Sequence, residues 1–92
     1  MPYTSDLQTR AADFLRRPIP DELKPHYVSG SIAEIVITHC ARAEALDPDL
    51  CELAEMSAES YDDAIADART PDLKTYYTDC QQLLREIIES SH

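Results

Sequence analysis

The chain has no tryptophan and a single glycine, Gly30, among its 92 residues. Sandwiches and barrels need many backbone positions that glycine fills best, so one glycine argues against an all-β fold. No apolar run exceeds three residues, and Ile35-Val36-Ile37 is one of that length. A membrane-spanning helix needs about 18–20 apolar residues in a row, so no span is expected. The start, Met1-Pro2-Tyr3-Thr4-Ser5-Asp6, lacks the basic residues and apolar stretch of a secretory signal. The expected location is the cytoplasm.

Several chemical signatures are also missing. Cys40, Cys51 and Cys80 form no CxxC or other metal-binding spacing. In a cytoplasmic chain they read as reduced thiols that pack as small apolar groups. There is no glycine-rich phosphate loop, no G-x-S-x-G, no EF-hand loop and no Glu-x-x-His pair for a helical di-iron site. His26, His39 and His92 are scattered. Although His39 adjoins Cys40, successive helical residues point about 100° apart, which separates imidazole from thiol. No catalytic residue, metal ligand or cofactor site is therefore expected.

Positive charge is missing from the middle of the chain. Between Arg42 and Arg69 there is no lysine or arginine, while nine carboxylates fall in that interval. Residues 1–46 carry six acids and five bases, and residues 47–92 carry twelve acids and three bases. Nearly all of the formal charge of −10 thus lies in the second half. Such a field favours basic partners and repels phosphate backbones. Tyr76, Tyr77 and Lys74 are too few, and too surrounded by acid, to form a nucleic-acid stacking platform. Arg10, Arg16, Arg17 and Lys24 make a modest basic group near the start, consistent with helix-dipole complement and solubility.

What is present is helical periodicity with clear starts and stops. Ser5 and Gln8 have capping-box spacing, and Leu7, Ala11, Phe14 and Leu15 share a face, which predicts a first helix over Ser5 to Arg17, ended by Pro18. Three prolines in Pro18–Pro25 rule out a continuous helix there, leaving at most one turn within Pro20 to Val28. Ser31 and Glu34 repeat the capping box after Gly30, and Ile32, Ile35, Val36, His39, Cys40, Ala43 and Leu46 follow helical spacing. The β-branched run Ile35–Thr38 also allows a strand, though the cap and the following alanines favour helix. Asp47-Pro48-Asp49 and Thr70-Pro71-Asp72 each read as an N-cap, a proline at the first helical position and an acid on the positive dipole end. They predict helices over Pro48–Arg69 and Pro71–Ser90, joined as an αα-hairpin.

The expected fold is a single all-α domain over residues 1–92, a small antiparallel bundle of four helices. Its expected core is Phe14, Ile35, Leu50, Tyr61, Leu84 and Ile88. On the third helix Leu50, Ala54, Ala58, Tyr61, Ile65 and Ala68 face inward, and the acids spread over an arc of roughly 140° opposite. Within that arc Glu52, Glu55, Met56, Glu59, Asp62 and Asp63 are the candidate partner-binding residues. Exposed helices usually mix signs; here like charges at i, i+3 and i+4 repel by a few tenths of a kcal/mol per pair. A solvated face is the plain reading, and Met56 set among carboxylates puts a binding surface level with it.

Function is read as binding. The expected protein is a small acidic inhibitor or regulator presenting this face to a basic protein partner, which can itself be a nucleic-acid-binding protein. Immunity proteins, antitoxin-like regulators and phage-encoded inhibitors share that logic, since a dense carboxylate face can fill a site built for phosphate. The alternative is an assembly module that homodimerises, or docks on a larger subunit, through the wide apolar stripe of the last helix, Leu73 to Ile88.

Overall fold

Each helix begins on a side-chain oxygen, as the sequence spacing leads one to expect. The computed structural model describes residues 3–27 and 30–91 and contains α1 (Ser5–Arg16), α2 (Ile32–Ala41), α3 (Pro48–Asp67) and α4 (Pro71–Ser90). Ser31, Asp47 and Thr70 accept from the amides of Glu34, Leu50 and Leu73 at 3.2, 2.7 and 3.2 Å. Pro48 and Pro71 occupy the first turns, where a missing N–H costs nothing. The first helix differs from expectation by one residue. Its cap is Thr4, whose Oγ1 accepts from Leu7 N at 3.1 Å, and Ser5 is already helical. The reason is Tyr3, which is buried and donates its hydroxyl to the Glu44 carbonyl at 2.9 Å, fixing the chain just ahead of the first turn.

At the other end of α1, Arg17 is extended with ψ 137°, as a residue preceding proline must be. The proline-rich connector holds a turn and a short 3₁₀ segment, Lys24–His26. The expected limit of that segment at Val28 lies outside the described residues. Gly30, at φ 84°, is left-handed, and the extended Ser31 follows it. The Ile35–Thr38 run is helical, and no strand occurs among the described residues.

α2 ends in a Schellman arrangement. Ala43 N donates to Cys40 O at 3.0 Å and Glu44 N donates to His39 O at 2.8 Å, with Ala43 at φ 59°. Glycine usually holds that position, and alanine holds it here under steric strain.

The helices form two antiparallel hairpins, α1 with α2 and α3 with α4, packed against each other. Arg10 makes a bidentate pair with Glu86 at 3.0 and 2.5 Å, and Arg17 meets Asp79 at 2.6 Å, so α1 also runs antiparallel to α4. These arginines, grouped with the basic residues of the first half, are cross-braces rather than a patch. The core comprises Tyr3, Leu7, Ala11, Ala33, Val36, Ile37, Cys40, Ala54, Ala58 and, from α4, Cys80, Leu83, Leu84, Ile87 and Ile88. Of the expected core, Leu84 and Ile88 are buried while Phe14, Leu50 and Tyr61 are partly buried against it. Ile35 is not in the core. α2 is apolar over more than half of its circumference, and contacts with three helices turn Ala33, Val36, Ile37 and Cys40 inward instead. Small Ala54 and Ala58 on α3 let α4 approach closely and bring its bulky side chains into the centre. Most of the α4 stripe, Leu73, Cys80, Leu83, Leu84, Ile87 and Ile88, is buried by this chain's own packing, while Tyr76 and Tyr77 are part-buried.

Candidate functional site

The outward arc of α3 carries no cation along its 20 residues. Glu52, Glu55, Glu59, Asp62 and Asp63 are all exposed, and Met56 between them is 61% exposed. Leu53, absent from the expected site, adds a second large apolar group at 43% exposure, one turn from Met56. Asp62 stands apart from the other acids. Its Oδ1 accepts from the buried Gln81 carboxamide at 2.8 Å and lies 3.8 Å from the Arg85 guanidinium. It therefore ties α3 to α4, while Glu52, Glu59 and Asp63 sit further round the helix.

Beside this face lies a groove that the sequence did not disclose. Its volume is about 610 Å³, and it opens between α1, the connector, the start of α2, the middle of α3 and the start of α4. Phe14, Tyr61, Tyr76 and Tyr77 form its floor. The rings of Phe14 and Tyr76 are 5.1 Å apart, those of Tyr61 and Tyr77 are 5.6 Å apart, and Tyr76 meets Tyr77 edge-on at 6.1 Å. Ser57, Ser60 and Ala64 supply the α3 wall, one step round the helix from the acids. Ile19, Leu23 and Tyr27 supply the connector wall. The Tyr27 hydroxyl donates to the Glu34 carboxylate, which pins the connector back on α2 and pushes the phenol up to about 12.

Burial raises the hydroxyl pKa of Tyr61, with the Cys80 thiol adding to the shift, and burial likewise raises those of Tyr76 and Tyr77. The groove has one guanidinium, Arg17, which lies 5.6 Å above the Tyr76 ring and is held by Asp79. In the connector, one oxygen of Glu22 is buried with no hydrogen-bond partner among the described residues, and the field of this carboxylate raises the Tyr77 hydroxyl.

The thiols and imidazoles lie elsewhere. Burial pushes Cys40 up to about 11 and raises Cys51 and Cys80, so all three are protonated thiols at neutral pH. His39 Nδ1 is 2.8 Å from the Ile35 carbonyl and Nε2 is 3.9 Å from Glu44, an arrangement that stitches the end of α2. His26 is exposed at the groove edge, and His92 lies outside the described residues. Among the described residues no three His, Cys, Asp or Glu side chains converge to hold a metal ion. No helix among them is long and apolar enough to cross a membrane.

No protein-family model, curated protein or solved structure matches the chain. The functional reading therefore rests on the surface alone.

Proposed function

We propose that the protein is a cytoplasmic inhibitor or regulator that acts by binding rather than by catalysis, offering the outward side of α3 to a basic protein surface. The observation that carries the reading is the exposure of Met56 (61%) and Leu53 (43%) on a helix whose solvent arc bears acids and no cation. Large apolar groups ringed by charge are the usual make-up of a small binding hot spot: the anchor supplies affinity and the rim supplies steering and selectivity. A basic partner would also relieve the repulsion among the carboxylates of this face, so association and charge relief act together. A partner that normally holds phosphate, such as a nucleic-acid-binding protein, has the matching chemistry. The assembly reading would rest on Tyr76 and Tyr77, the part-buried end of the α4 stripe, since its other members are buried within the chain.

The test is capture from a lysate of the source cells by the wild-type protein and by the triple reversal Glu52→Lys, Glu59→Lys, Asp63→Lys. The reading expects a basic protein that is held at low salt, shed at high salt and missed by the variant. Equal capture by both proteins would exclude the α3 face as the binding surface.

A further inference from the structure

We infer that the groove between α1, the connector and the α3–α4 hairpin binds a small, uncharged aromatic molecule. The inference is independent of the acidic face, because Ser57, Ser60 and Ala64, not the acids, form the α3 wall. The chain has one phenylalanine and five tyrosines. Phe14, Tyr27, Tyr61, Tyr76 and Tyr77 all line this one groove, and only Tyr3 packs elsewhere. Rings that served only as core would be interred, as Tyr3 is at 3% exposure. The groove rings are part-buried, or exposed in the case of Tyr27, so they leave ring surface beside the concavity they line. Leu15 also lines the groove and is exposed, so a ligand seated there would cover it. At about 610 Å³ the groove falls within the roughly 300–1,000 Å³ of small-molecule sites, which are likewise apolar and aromatic with a few polar groups.

The rings give the class of ligand. Phe14 meets Tyr76, and Tyr77 meets both Tyr61 and Tyr76, in tilted or edge-on pairs. A planar ring set among them continues that series, and each such contact adds affinity beyond the area it buries. An aliphatic ligand gains the area alone. Charge excludes an ion. Arg17 is held by Asp79 at 2.6 Å, and the Glu34 carboxylate accepts from the Tyr27 hydroxyl. An ionic ligand would give up its hydration and find both of these counter-charges engaged. The hydroxyls of Ser57, Ser60 and the tyrosines can meet a phenol or carbonyl carried on the ligand's ring.

The probe is N-phenyl-naphthylamine, an uncharged aromatic dye that brightens in apolar surroundings, titrated into the full chain at high salt so that the field of the net charge is screened. It should bind saturably, one per chain, and naphthol should displace it while decanol should not. Its sulfonated counterpart, anilinonaphthalene sulfonate, should bind about tenfold more weakly. Ser60→Phe, which adds a ring at an exposed position of the α3 wall, should fill the groove and weaken dye binding about tenfold or more. Glu89→Phe, which adds the same ring at an exposed α4 position outside the lining, should leave it unchanged. Tyr76→Ala should weaken it about fivefold through the lost ring contact. Dye binding that ignores Ser60→Phe would overturn the groove as the site. Equal or tighter binding of the sulfonate would overturn the uncharged ligand, and displacement by decanol as readily as by naphthol would overturn the aromatic one. A dimer in sedimentation that excludes the dye would give the groove to a second copy instead. No saturable binding would overturn the inference outright and leave the acidic face untouched.

Discussion

The buried carboxamide of Gln81 donates to Asp62 Oδ1 and to the Ala58 carbonyl, both at 2.8 Å. One α4 side chain thereby fixes the register of α3 and removes one carboxylate from the free acidic face. Gln81→Ala should destabilise the protein by about 2 kcal/mol, from two lost hydrogen bonds and a small void. Asp62→Ala, at a largely exposed position, should cost at most about 1 kcal/mol, and Glu59→Ala should lie within about 0.5 kcal/mol of wild type. Urea denaturation of the three variants checks that order.

Ala43 is the strained point of the backbone, left-handed at φ 59° in the turn that ends α2. Ala43→Gly should stabilise by about 0.5–1 kcal/mol, since relief of strain exceeds the added entropy of the unfolded chain. Tyr3→Phe removes the 2.9 Å bond that anchors this turn through the Glu44 carbonyl, and should cost about 1 kcal/mol. Opposite shifts in thermal midpoint are expected from the two substitutions.

Alkaline pH should unfold the protein from the thiols outward. Cys40 is raised from an ordinary value of 9.0 to about 11, and Cys80 and Tyr61 are raised in the same direction by burial. A group whose folded value is raised holds its proton longer in the folded state. The unfolded state therefore loses protons first, and stability falls as pH rises above the unfolded value. For Cys40 stability should be level below about pH 9 and decline between about 9 and 11, by up to about 1.4 kcal/mol per pH unit, with Cys80 and Tyr61 acting in the same direction above their own unfolded values. Cys40→Ala should flatten that decline in a thermal melt series, whatever it does to stability at neutral pH.

Arg10 and Glu86 join α1 to α4 in a two-bond pair, but both side chains are about two-fifths exposed (40% and 38%). Solvent screening limits such a pair to under about 1 kcal/mol. Glu86 is held below its ordinary value by the guanidinium, so this contribution is present above about pH 4.5 and lost as pH falls through the lowered value. Glu86→Gln should leave neutral-pH stability only slightly reduced and remove that part of the acid dependence.

Most of the fold was legible because three helices announce themselves locally. Ser31, Asp47-Pro48 and Thr70-Pro71 start helices where a residue-by-residue reading puts them, and Pro18 stops one. The inward face of α2 was not legible, since Ile32, Ala33, Ile35, Val36 and Ile37 spread over more than half of the helix and only tertiary contacts choose among them. The Thr4 cap depends on Tyr3 reaching Glu44 across 41 residues, a bond that no local pattern contains. The acidic arc of α3 could be read directly from the spacing of one charge sign. Its groove could not, because Phe14, Tyr61 and Tyr76 come from three helices and meet only through packing. The exposed Leu15, expected on the inward face of α1, is where that groove opens.

The central claim is that the outward side of α3 is the binding surface. The most direct measurement is a map of amide and tyrosine-ring chemical shifts in the labelled protein, titrated with the protein it retains at low salt. The account predicts that changes gather on Glu52, Leu53, Met56, Glu59 and Asp63. Changes confined to the outer sides of α1 and α4, with those residues unmoved, would contradict it.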